Sequence, residues 1–147
     1  MKKLSFETVI QAPAEKVWEI LWKDETYRKW TTVFAEGSYA ESNWVKGAEV
    51  LFLSPGGGGM FSEIEEMIPH RQMSFKHLGM VKDNVKQPST EETKEWEGAT
   101  ESYFLVEEGG YTRLKVELEI LESHSGYFEE KFPLALQRVK ELAEFKK

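Results

Sequence analysis

The chain has 147 residues, 26 of them acidic and 19 basic, for a formal net charge of -7. That length suits a single domain, since such chains hide roughly 70% of their unfolded surface, and the acidic balance opposes nucleic acid, whose phosphates are met by clustered Lys and Arg. Cysteine is absent, which excludes disulfides and thiolate chemistry, and with no signal-like or membrane-spanning apolar run a soluble, cytoplasmic protein held together by packing alone is expected.

Residues 3–10 alternate, with Leu4, Phe6, Thr8 and Ile10 on one face and Lys3, Ser5 and Glu7 on the other, the period of a half-buried strand. Pro13 suits the first turn of a helix, and Ala14, Val17, Trp18 and Leu21 then recur at helical spacing. A second short helix is expected from about Asp24 to Trp30, with Asp24 as its cap. Strand patterns follow over Ala48 to Leu53, Met60 to Ile68, Gln72 to Leu78, Glu97 to Glu107 and Thr112 to Leu121. Pro55 to Gly59, Pro69-His70 and Glu108-Gly109-Gly110 have the length and chemistry of hairpin turns, so these strands read as an antiparallel meander.

The stretch from Met80 to Trp96 is polar, contains Pro88 and lacks a strand period, although Thr90-Glu91-Glu92-Thr93 can open a helical turn. A loop this long is usually a lid or a binding feature. Phe128, Phe132, Ala135, Leu136, Val139, Leu142 and Ala143 then mark one apolar helix face, and Arg138, Lys140, Lys146 and Lys147 favour its C-terminal dipole. Pro133 predicts a kink or a helix start nearby. The expected fold is α+β: a six-stranded curved antiparallel sheet, two short helices after the first strand and a long C-terminal helix.

Charged residues mark the solvent face of each strand, because an unpaired buried carboxylate is costly. Placing Glu49, Glu63, Glu65, Lys76, Glu101, Arg113, Lys115, Glu117 and Glu119 outward turns Phe52, Met60, Ile64, Met73, Phe75, Phe104, Val106, Leu114 and Val116 inward. It also turns Thr8, Ser62, His77, Thr100 and Ser102 inward. In a dry core each of these would need a hydrogen-bond partner, at about 1–3 kcal/mol if unmet. Either a cavity supplies partners, or the hydroxyls bond nearby backbone and His77 is a satisfied core histidine.

Local motifs point to no chemistry. Pro55 to Gly59 lacks the Gly-Lys-Ser/Thr ending of a phosphate loop and leads into a strand. His70, His77 and His124 lack close metal-ligand spacing, the glutamate clusters read as solvated faces, and no nucleophile elbow occurs. Neither a metal nor a cofactor is expected. Of the aromatic cluster running from Trp18 to Trp44, Trp30 and Phe34 are the better candidates for a pocket mouth.

The order of elements, together with Gln11-Ala12-Pro13-Ala14-Glu15-Lys16-Val17-Trp18, resembles the START-related helix-grip (SRPBCC) superfamily. Trp30-Thr31, Gly47-Ala48-Glu49-Val50, Trp96-Glu97-Gly98-Ala99 and Phe132-Pro133-Leu134-Ala135-Leu136 are most similar to the branch related to activators of heat-shock protein 90 ATPase. The resemblance implies a groove between sheet and last helix, with Phe52, Met60, Phe75, His77, Trp96, Phe128, Phe132 and Leu136 as plausible lining. With Trp30, Phe34, Ser62, Thr100 and Ser102 these make up the expected binding set. No family catalytic motif matches. The expected function is non-catalytic binding of a small hydrophobic or amphipathic molecule; the alternatives are a co-chaperone-like protein-binding domain and a cyclase or hydratase in which His77 or a glutamate moves a proton.

Overall fold

A computed structural model describes residues 1–145; Lys146 and Lys147, assigned above to the helix dipole, lie outside the described residues. β1 (Lys2–Ile10) leads into α1 (Ala14–Trp22), α2 (Asp24–Trp30) and a 3-10 turn (Thr31–Val33). Then come β2 (Tyr39–Ser42), β3 (Glu49–Leu53), β4 (Gly59–Ile68), β5 (Gln72–Lys82), β6 (Val85–Lys86), the single turn α3 (Glu91–Lys94), β7 (Thr100–Glu108), β8 (Tyr111–Ile120) and α4 (Ser125–Glu144). The sheet order is β1-β8-β7-β5-β4-β3-β2, with β6 pairing β5, and every pairing is antiparallel.

The sheet therefore has eight strands rather than six. The two extra strands are short and polar, with too few residues to show a period. β2 extends the far edge beside β3. β6 arises because β5 runs on to Lys82 and turns through Asp83 and Asn84, both left-handed at φ 52° and 64°, the two-residue hairpin conformation that Asp and Asn tolerate. β7 begins at Thr100, not Glu97, because Gly98 adopts φ 89° and breaks the extended run. α2 has the expected bounds, but Asp24 is its first residue rather than its cap and pairs with Arg28 one turn on, at 2.9 Å.

The apolar alternation of β1 holds: Leu4 and Ile10 are buried between exposed neighbours. α4 buries Phe132, Ala135, Leu136, Val139 and Ala143, the spacing of one helical face, and lies against β1, α1 and α2. Pro133 sits inside this helix, eight residues past its start; with no N–H it leaves the Glu129 carbonyl without its helical donor. One hydrophobic cluster joins α1, α2, the inner face of the sheet and α4.

Two irregularities shape the middle of the sheet. The pairing of β4 with β5 slips between Phe61 and Ser62 and again between Ile64 and Glu66, and such bulges bend the strands and re-aim side chains. Between the slips, Ser62 lies opposite His77 and Ile64 opposite Phe75.

Candidate functional site

A cavity of about 320 Å³ opens between the sheet, α2 and the first half of α4. Its sheet wall carries Phe52, Met60, Phe75, His77, Glu101 and Tyr103; α1, α2 and the following turn add Trp22, Tyr27, Trp30, Thr31 and Phe34; α4 closes it with Tyr127, Phe128 and Phe132. Edge-to-face and offset packing fixes these rings: Phe52 to Phe75 at 5.1 Å, Trp22 to Tyr103 at 4.9 Å, Phe34 to Phe132 at 5.0 Å. Trp30 is anchored further by its Nε1–H, which donates to the Leu21 carbonyl at 3.1 Å.

Polar groups form a continuous chain along one side. Ser62 Oγ lies 2.7 Å from His77 Nδ1, and His77 Nε2 lies 3.1 Å from Glu101 Oε1. The second carboxylate oxygen of Glu101 accepts from the Tyr103 hydroxyl at 2.5 Å. His77 is held in place by its backbone, whose N–H donates to the Ala99 carbonyl and whose carbonyl accepts from Gly98 N–H. Ser62 is fully buried behind the histidine and does not reach the cavity, so this serine–histidine–glutamate line cannot present a hydroxyl nucleophile to a ligand.

Eight residues of the expected set line the cavity: Trp30, Phe34, Phe52, Met60, Phe75, His77, Phe128 and Phe132. Ser62 sits one layer behind. Leu136 is packed in the core, 3% exposed, and no residue between Met80 and Gly98 touches the cavity, so neither Trp96 nor the expected lid is part of its wall. That stretch is spent instead on the β5–β6 hairpin and on α3, where Thr90 and Thr93 form a reciprocal capping box.

The facing of β7 is the main correction. Glu101, Tyr103 and Leu105 point inward, opposite Leu118, Val116 and Leu114 of β8, and Val106 is 53% exposed. Thr100 and Ser102 lie on the outer face with Phe104; the Thr100 hydroxyl donates to Glu119 at 2.8 Å. Treating Glu101 as a solvent marker inverted the strand, because its carboxylate is turned inward and satisfied by His77 and Tyr103. The sequence held a weak counter-signal in Tyr103 and Leu105, which share the parity of Glu101, but Phe104 and Val106 offer equal apolar bulk on the other.

The same carboxylate acts on two phenols. Burial, reinforced by the charge of Glu101, pushes the Tyr27 hydroxyl far above its ordinary titration range. Burial, the Glu101 charge and the hydrogen bond to it do the same for Tyr103, with a further push from Tyr27. A phenol harder to ionise when folded favours the folded state fully below the unfolded value near pH 10, and this contribution is lost as pH rises beyond it. Urea unfolding is therefore expected to show stability falling above about pH 10 by up to about 1.4 kcal/mol per pH unit for each of the two tyrosines. Tyr103→Phe should remove one share of that slope; an unchanged slope would mean that Tyr103 ionises freely in the fold.

An antiparallel sheet packed on a long C-terminal helix around an aromatic cavity is the helix-grip fold. The solution structure of the Aha1 dimer from Colwellia psychrerythraea has this architecture, matching with a TM-score of 0.75 and 20% identity over 100% of this chain and 99% of that one. Protein MLL2253 from Mesorhizobium loti matches with a TM-score of 0.75 and 14% identity over 96% of each chain. CalU16 from Micromonospora echinospora matches with a TM-score of 0.67 and 15% identity over 96% of this chain and 75% of that one. At these identities the likeness is one of fold. No family model matches the chain, and no curated protein matches it. Among the described residues, no helix is long and apolar enough to cross a membrane, and no cluster of three or more His, Asp or Glu side chains is arranged to hold a metal ion.

Proposed function

We propose that the protein binds a small, largely apolar molecule in the cavity between the sheet and α4. The observation that carries this reading is the wall itself: aromatic rings from sheet, α2 and α4 enclose about 320 Å³ beside a single hydrogen-bonded polar chain. Apolar cavities with a few convergent polar groups are the usual form of small-molecule sites, and this volume lies at their lower end. A ligand burying about 300 Å² of apolar surface would gain about 7 kcal/mol before the costs of association, so affinity beyond the modest range needs a specific contact with the polar chain.

The pair His77–Glu101 supports a second reading, in which it moves a proton on the bound molecule. One experiment addresses both. Titration with the neutral apolar dye N-phenyl-1-naphthylamine should give a saturable fluorescence rise, and mass spectrometry of small molecules that copurify should identify a displacing metabolite. Return of that metabolite unchanged after incubation supports binding alone, and its conversion supports the second reading. The absence of any saturable dye binding would overturn the cavity as a ligand site.

A further inference from the structure

Resting on the ligand-binding reading above, we propose that the ligand is a cation: an amphipathic amine whose ammonium group meets Glu101 while its apolar body lies among the rings. Among the described residues, Glu101 is the one carboxylate in the cavity wall, and no Lys or Arg side chain lines it. Its side chain keeps 23% of its surface exposed, so the carboxylate is still within reach of a ligand.

Proton accounting leaves that carboxylate without a compensating charge. Ser62 is completely buried, and its one side-chain hydrogen bond among the described residues is to His77 Nδ1. The arrangement that satisfies both groups has the serine hydroxyl donating to Nδ1, because a proton on that nitrogen would leave the hydroxyl hydrogen with no acceptor among the described residues. In that arrangement His77 donates from Nε2 to Glu101. Tyr103 donates the other bond from a phenol held un-ionised by its burial. Glu101 thus has two neutral donors and, among the described residues, no cationic Lys or Arg partner.

A carboxylate beside a low-polarity cavity gains most from a positive charge. The rings favour the same ligand, since their faces attract cations, and the formal net charge of -7 draws cations toward the surface. An alcohol could donate one ordinary hydrogen bond, whereas an acid would meet like charge.

The test uses three probes with one body, 4-phenylbutylamine, 4-phenyl-1-butanol and 4-phenylbutyrate, titrated calorimetrically into the full chain near pH 7 at low salt. The amine is expected to bind at least ~10-fold tighter than the alcohol, and the acid most weakly. In Glu101→Gln, the amine's advantage over the alcohol should shrink to within about 2-fold. If that variant does not fold, the ranking in the native protein still decides. Alcohol binding as tight as the amine, or an acid binding tightest, overturns the cation while leaving the cavity as a binding site. An amine preference that survives Glu101→Gln overturns the role of Glu101, and failure of all three probes removes the cavity reading together with this one.

Discussion

Phe75→Ala is expected to lower stability by about 3–5 kcal/mol and the thermal midpoint by roughly 6–20 °C. Phe75 has no exposed surface and lies where three strands meet, opposite Ile64 on β4 and Glu101 on β7. Its ring touches Phe52 at 5.1 Å and Trp22 at 5.4 Å, with Tyr103 and Trp44 at 6.4 and 6.5 Å. Paired strands hold the backbone on both sides, so the vacated space cannot collapse and should merge with the existing cavity, leaving surrounding rings without partner atoms. Urea unfolding checks this through a lower midpoint at unchanged slope. A loss below about 1.5 kcal/mol would mean that the neighbouring rings refill the space, contrary to the rigid wall described above.

Phe132→Ala is expected to cost about 3 kcal/mol and to weaken N-phenyl-1-naphthylamine binding by about 10-fold. Phe132 is 3% exposed, stacks on Phe6 of β1 at 5.3 Å and 16°, and meets Phe34 at 5.0 Å. It is therefore the residue through which α4 both seals the core and roofs the cavity. The stability cost falls at the low end of the Phe→Ala range because one side of this ring already borders open space, whose atoms contribute no packing to lose. Equal dye affinity in the variant and the native protein would place the dye away from α4.

These two phenylalanines also mark what was legible beforehand. Phe132 follows from helical periodicity and Phe75 from strand alternation, both local patterns that the backbone geometry enforces. The same logic turned Phe52, Met60 and His77 inward and placed Phe128 on the apolar face of the long helix; that they line a groove was implied by the family resemblance, and Trp30 and Phe34 came from the aromatic cluster. It failed where its premise failed. The rule that a charge marks the solvent face assumes an unpaired charge, and Glu101 is paired inside by His77 from β5 and Tyr103 from β7. Tyr27 and Trp22 were visible as members of an aromatic cluster, but nothing local distinguishes a ring facing a cavity from one filling a core. The strands Tyr39–Ser42 and Val85–Lys86 were missed for a simpler reason: segments of four and two residues exist by pairing with β3 and β5, not through any period of their own.

By itself the sequence determined the six long strands and the helices α1, α2 and α4 in their order, the apolar faces of β1, β8 and α4 and the turn positions, because each follows from contacts between residues near in the chain or from a repeating pattern; the helix-grip expectation came from the family resemblance. Only the tertiary structure decided which face of β7 turns inward, that residues 80–98 stand clear of the cavity, and that Ser62, His77, Glu101 and Tyr103 form one hydrogen-bonded line. The physical reason is that the free energy of a partly buried carboxylate depends on its donors, His77 from β5 and Tyr103 two residues along β7, while Ser62 meets His77 only in the register set between the bulges of the β4–β5 pairing.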